Sequence, residues 1–282
     1  MTRIANIACL QTRPMPDFSS ALNEALPLAE KAAGAGAHLL LLPEYCGGLK
    51  SDGAALCPPA AREAEHPVLQ AFQELARARK LWVMLGSIAI DAGDAKILNR
   101  GYILDDKGAI QSRYDKIHLF DIQLSAQEVY RESAHVLAGG QAAIIDTPFG
   151  RLGHTICYDL RFPHLYRDLA KAGAEIIAIP AAFTKQTGEA HWHVLNRARA
   201  IENAAFIVAP CAYGPIPGGG ESYGHSLVVD PWGVVVADGG TGPGVVQVQI
   251  DLDQVAATRA RIPSLEHDRP FARPGTGKGG PS

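Results

Sequence analysis

Short apolar runs alternate with amphipathic stretches along the whole chain. Residues 3–11 (RIANIACLQ) read as a buried strand, and residues 18–35 repeat Ala and Leu at helical period until Gly36 stops them. Residues 38–42 (HLLLL) are a short apolar run broken by Pro43, which sets Glu44 just past a strand's end. Residues 61–79 return to helical period, and residues 81–90 (LWVMLGSIAI) read as a strand.

The middle of the chain adds hairpins. Asp106-Lys107-Gly108 separates strand-like residues 99–104 and 110–119, and Pro148-Phe149-Gly150 separates 143–147 and 151–156. A helix is expected over 162–172, a strand over 175–179 and a helix over 190–203. Residues 206–212, 226–229 and 233–237 supply further strands. Helices interleaved with both hairpins and crossovers predict an α/β protein with a mixed sheet and helices on its outer faces. No low-complexity linker interrupts residues 1–271, which read as one domain, while the Gly- and Pro-rich residues 272–282 read as a flexible tail.

Composition narrows the function classes. The 282 residues are 47% hydrophobic, enough for a sizeable core. The net charge is -3 and Lys and Arg are not clustered, which argues against a nucleic-acid or membrane-surface partner. The N-terminus has no signal-peptide pattern, and no apolar run approaches the roughly 18 residues of a membrane span. Five Cys at irregular spacing, without a C-x-x-C, fit neither a disulfide framework nor a zinc site and point to a reducing cytoplasm.

Cys157 is the sharpest chemical candidate, because it lies where a strand gives way to a helix. Such a bend exposes a nucleophile, and the nearby backbone N–H groups favour both a thiolate and an oxyanion. The competing reading is an inert core thiol. Glu44 would be a partly desolvated carboxylate of raised pKa, suited to general-base work, or simply a loop Glu. Lys116, in YDKIH, could steady an anionic intermediate or be a solvated surface cation. His191 and His193 have the look of a metal pair, but residues two apart on a helix point in different directions. Gly218-Gly219-Gly220 lacks the ending of a phosphate loop and reads as a flexible rim. A papain-like Cys–His arrangement has no local signature around Cys157.

The segments LLLLPEYCGG around Glu44, RYDKIHLFD around Lys116 and HTICYDLRFP around Cys157 together resemble the nitrilase superfamily of carbon–nitrogen hydrolases. Residues 179–203 and SYGHSLVVDPWG at 222–233 extend the likeness. The resemblance implies a four-layer α-β-β-α sandwich, a Glu44–Lys116–Cys157 triad, no metal or organic cofactor, and a homodimer or higher homo-oligomer. Glu132 in VYRES takes the place of a second Glu that would orient Lys116 or position substrate and water. It also implies that the Tyr158 N–H holds the oxyanion and that Arg161 grips a substrate carboxylate. The downstream blocks look most like the branch holding omega-amidase and deaminated glutathione amidase, which points to a small carboxylate-bearing primary amide hydrolysed through a thioester. Residues 124–129 depart from the Gly- and Pro-containing loop of those relatives. Nitrile or N-carbamoyl hydrolysis on the same fold, and a catalytically silent binding protein, are the competing expectations.

Overall fold

The computed structural model describes residues 2–52, 55–123 and 129–272; most of the expected tail and of the 124–129 departure lie outside them. The apolar runs fold into two sheets rather than one. The first has the order Gly244–Asp251, Ile4–Gln11, Leu39–Leu41, Trp82–Gly93, Lys96–Leu104, Ile110–Asp115. Its centre is parallel, because helix α1 (Phe18–Gly34) and helix α2 (Pro67–Arg79) return the chain between strands. The second has the order Ala143–Thr147, Gly150–His154, Ile176–Ala178, Phe206–Ala209, Leu227–Val229, Val235–Asp238. Helices α3 (Pro163–Lys171) and α4 (Lys185–Asn203) make its parallel centre in the same way.

Both sheets are buried on both faces, which is why their central strands read as unbroken apolar runs. Ala25, Ala29 and Ala32 of α1, with Val68, Leu69 and Phe72 of α2, cover the outer face of the first sheet. Leu165, Tyr166 and Leu169 of α3 and Trp192 and Ala200 of α4 cover the second. Between the sheets, Ile7, Leu39, Leu41 and Met84 meet Ile176, Ala178, Phe206 and Val208. The layers therefore run α-β-β-α. Each large side chain so buried contributes about 1.5–3 kcal/mol, so the three apolar layers hold the sheets in register.

Several expected boundaries shift for local reasons. The helix read from residue 61 starts at Pro67, whose fixed φ suits a first turn; a short strand (Ala60–Ala61) and a 3-10 turn (Glu63–Glu65) precede it. Helix α4 begins at Lys185, earlier than residue 190. The strand Gly244–Asp251 and helix α5 (Asp253–Arg261) have no counterpart in the sequence reading. The strand's GVVQVQID alternates as a half-buried edge should, and it pairs antiparallel with Ile4–Gln11. Among the described residues no helix is long and apolar enough to cross a membrane.

One glycine positions the site. A Cβ on Gly86 would lie 2.1 Å from the Leu42 carbonyl oxygen and 2.4 Å from Pro180 Cβ. Only the bare backbone lets the loops that follow Leu39–Leu41 and Ile176–Ala178 close over this strand.

Candidate active site

The carboxyl ends of parallel strands from both sheets converge on one pocket, as is usual for sites in α/β folds. Glu44 follows Leu39–Leu41, Lys116 follows Ile110–Asp115, and Cys157 opens the 3-10 turn Cys157–Arg161 after Gly150–His154. Residues distant in sequence thus meet through the packing of the two sheets.

Cys157 has φ +48°, the left-handed region, which costs a non-glycine residue on the order of 1–3 kcal/mol. The surroundings hold it there. Its N–H donates to the Pro180 carbonyl at 2.9 Å, and the Ile156 N–H donates to Asp159 Oδ2 at 2.9 Å. Buried Arg199 donates from Nε and Nη2 to the Leu160 carbonyl at 3.0 and 2.7 Å. Asp159 also accepts from Tyr114 Oη at 2.7 Å and the His118 N–H at 3.0 Å, tying the segment that carries Lys116 to the turn that carries Cys157.

At the pocket floor Lys116 Nζ donates to Glu44 Oε1 and Glu132 Oε2, both at 2.9 Å. Asn99 Nδ2 bridges the two carboxylates, at 2.9 Å to Glu44 Oε1 and 3.1 Å to Glu132 Oε1. The Ala182 N–H donates to Glu44 Oε2 at 2.9 Å, the Phe120 N–H to Glu132 Oε2 at 2.6 Å, and Tyr45 Oη to Glu132 Oε1 at 3.2 Å. The Cys157 thiol lies on the same floor, close enough for the Glu44 and Lys116 charges to act on it. Lys116, Glu44 and Cys157 are 2%, 4% and 7% exposed, so the cluster acts in a largely water-free floor.

Burial sets the protonation states together with the neighbours. It pushes the Glu44 carboxyl up, but the Lys116 charge and hydrogen bond, the Ala182 N–H and Cys157 outweigh it and leave the group below its ordinary range. The raised pKa expected for Glu44 is therefore corrected, since a buried ammonium sits against the carboxylate. Burial likewise opposes the Lys116 charge, yet Glu132, Glu44, Cys157 and Tyr45 hold its pKa well above normal. Burial and the Glu44 charge drive the Cys157 thiol well above normal, more strongly than Lys116 lowers it. The resting site is a carboxylate–ammonium pair beside a neutral thiol, not the preformed thiolate a helix N-terminus would favour. Such a site can take the thiol proton onto Glu44 only as sulfur bonds to carbon.

The pocket above this floor encloses about 280 Å³, within the scale of small-molecule sites. Phe120, Val136, Phe183 and Ile216 give it apolar walls, and Gly219 and Gly220 lie at its rim, where the sequence placed one. Glu44, Lys116, Glu132 and Cys157 all line it. Tyr158 follows Cys157 in the 3-10 turn, so its N–H is one of the donors a helix start leaves unpaired.

Arg161 does not line the pocket. Its guanidinium stands 5.8 Å from the Tyr158 ring centroid and 5.5 Å from that of Phe183, and its Nη2 lies 3.3 Å from His191 Nδ1. These aromatic faces and His191 are the contacts that hold its head group. His191 and His193 do not converge; His193 Nε2 lies 3.1 Å from Asp238 Oδ2, beside His225 Nδ1 at 2.9 Å from Asp238 Oδ1. Those three form a group whose donor atoms lie within 4.8 Å of one another, away from the pocket lining. Sequence reasoning passed over Asn99, Tyr45 and Asp159. Of these only Asp159 carried a signal, as a buried acid beside the candidate nucleophile.

Comparison with known proteins agrees with this geometry. The carbon-nitrogen hydrolase family model matches residues 6–260. A deaminated glutathione amidase of Synechocystis sp. is 37% identical over 264 residues, covering 92% of this chain and 96% of that protein. The human deaminated glutathione amidase is 38% identical over 273 residues, covering 94% and 82%. The crystal structure of the Caenorhabditis elegans NitFhit protein superposes with a TM-score of 0.87 at 34% identity, over 95% of this chain and 66% of that one. The chain belongs to the carbon–nitrogen hydrolase family, with the fold of the nitrilase superfamily.

Proposed function

We propose that the protein is a cysteine-dependent amidase that hydrolyses a small primary amide bearing a carboxylate, of the deaminated-glutathione or 2-oxo-dicarboxylate monoamide type. The observation that carries the reading is the meeting of Cys157 with the hydrogen-bonded Glu44–Lys116 pair on one pocket floor. Glu44 accepts the thiol proton while Cys157 Sγ bonds to the amide carbon. Lys116 Nζ and the Tyr158 N–H stabilise the oxyanion of the tetrahedral intermediate. Collapse breaks the carbon–nitrogen bond, Glu44 returns the proton to the departing ammonia, and a thioester remains. Water then attacks the thioester as Glu44 takes its proton, releasing the acid and the thiol. Glu132, Asn99 and Tyr45 position Lys116 and Glu44 for these steps, and the names of the relatives support the substrate class.

Ammonia release is measured with omega-monoamides of dicarboxylic and 2-oxo-dicarboxylic acids, deaminated glutathione, nitriles and ureido acids. Turnover highest on the carboxylate-bearing amides is expected; preference for nitriles or ureido acids would move the reading to another reaction of this fold. No turnover on any member, with Cys157 unlabelled by a thiol reagent at neutral pH, would favour a silent binding protein.

The protein is further proposed to be a cytoplasmic homo-oligomer. Its five described cysteines are all free, which suits a reducing compartment and is checked by cell fractionation. On the outer face of α4, Val194 and Ile201 are 66% and 52% exposed, and the turn bearing Trp232 and Val234, 47% and 51% exposed, packs beside Ile201. Exposed apolar side chains grouped in this way mark an association surface. Ile201→Asp should lower the mass measured by sedimentation equilibrium toward that of one chain; an unchanged assembly would place the interface elsewhere.

A further inference from the structure

We propose that Arg131 is the residue that receives the substrate's carboxylate, so that the amide enters the pocket nitrogen-end first with its acid at the mouth. The proposal rests on the amidase reading of the same pocket and adds a specificity residue to it. It comes from accounting for the charges around the cavity. Lys116 is committed to Glu44 and Glu132 on the floor. Glu221 at the rim is bonded by Lys185 at 3.0 and 3.1 Å. Arg131 also lines the pocket, is exposed, and has no acidic partner among the described residues. Arg161 is not among the residues that line the pocket, which leaves Arg131 as the guanidinium that does.

Its mounting is firm. Val129–Arg131 pairs antiparallel with Asp121–Gln123, with Arg131 opposite Asp121. Directly after it, the Ser133 N–H donates to Asp121 Oδ1 at 3.0 Å, and Lys96 Nζ donates to the Ala134 carbonyl at 2.7 Å. Arg131 is the chain neighbour of Glu132, whose carboxylate touches Lys116, so the anchor and the reacting end are spaced by the backbone itself. The floor holds two carboxylates against one ammonium, which repels a second acid and leaves the mouth as the place for it. A guanidinium suits that role because its planar fork meets both oxygens of a carboxylate.

Two measurements decide it. In steady-state kinetics on the full-length enzyme, Arg131→Gln should lower kcat/KM for a carboxylate-bearing omega-amide by at least about tenfold, the low end for losing a hydrogen bond to a charged group. The loss should fall mainly on KM, a neutral amide of similar length should lose far less, and Arg131→Lys should restore part of the difference. Equal losses on charged and neutral amides would overturn the proposal. The second measurement needs no turnover: glutaramate, which carries one carboxylate and one amide, is titrated calorimetrically into Cys157→Ala and into Cys157→Ala/Arg131→Gln. Weaker binding to the double variant supports the anchor, and equal binding, or none to either, overturns it. Should every amide fail as a substrate, the amidase reading falls while the titration still decides Arg131.

Discussion

Cys157→Ala should reduce kcat by at least about 10⁴-fold, the scale seen when the nucleophile of a hydrolase is removed. The thiol is the group on the pocket floor that can form a bond to carbon, and Glu44 lines the same floor to receive its proton. No other described cysteine has that company. Cys9, Cys46 and Cys211 lie in apolar clusters; burial pushes the thiols of Cys46 and Cys211 up to about 12 and that of Cys9 higher still. Cys57 is half-buried, and burial with the nearby Asp52 raises its thiol as well. Replacing each of these four with Ala should therefore leave turnover near the parent value, while Cys157→Ala keeps the fold, since Ala tolerates the left-handed backbone about as well as Cys. Turnover and thermal unfolding are measured on all five. More than a hundredth of wild-type turnover in Cys157→Ala, with the fold intact, would remove Cys157 as nucleophile.

The part of this site that was legible in the sequence is the part written in local pattern. Apolar runs that stop at Pro43 and at Ile156 announce strand ends, and the chemistry sits just beyond them. The same runs could not tell one mixed sheet from two, because a strand buried between a helix and a sheet is as apolar as one buried between helices. Asn99 lies in the middle of Lys96–Leu104 and has no local mark of its role, although its amide bridges Glu44 and Glu132. The head group of Arg161 lies against Tyr158 of its own turn and against Phe183 from another segment, which spacing cannot foresee. The Glu44 pKa went the other way from expectation because its counter-charge is 72 residues away in sequence.

That counter-charge gives the second large effect. Lys116→Met should lower kcat by at least about a hundredfold, the usual loss when an oxyanion donor is removed. It should also destabilise the fold by about 3–5 kcal/mol at neutral pH, because two buried carboxylates lose the ammonium between them. The pH dependence separates this from a general loss of packing. In the wild type Glu44 sits below its unfolded value, so its contribution to stability is present above the unfolded pKa and fades as acid protonates the folded group. Without Lys116, burial acts on Glu44 unopposed and lifts its pKa above the unfolded value. The variant should then lose stability as pH rises through that raised pKa and regain part of it in acid, and the acid limb of any residual kcat should move to higher pH. Lys116→Met/Glu132→Gln, which removes one stranded carboxylate, should recover part of the stability and none of the rate. Urea unfolding and kcat are followed together from acid to neutral pH. A Lys116→Met enzyme of undiminished kcat would take Lys116 away from the oxyanion, and one whose stability falls equally at every pH would show that packing, not charge, was what it lost.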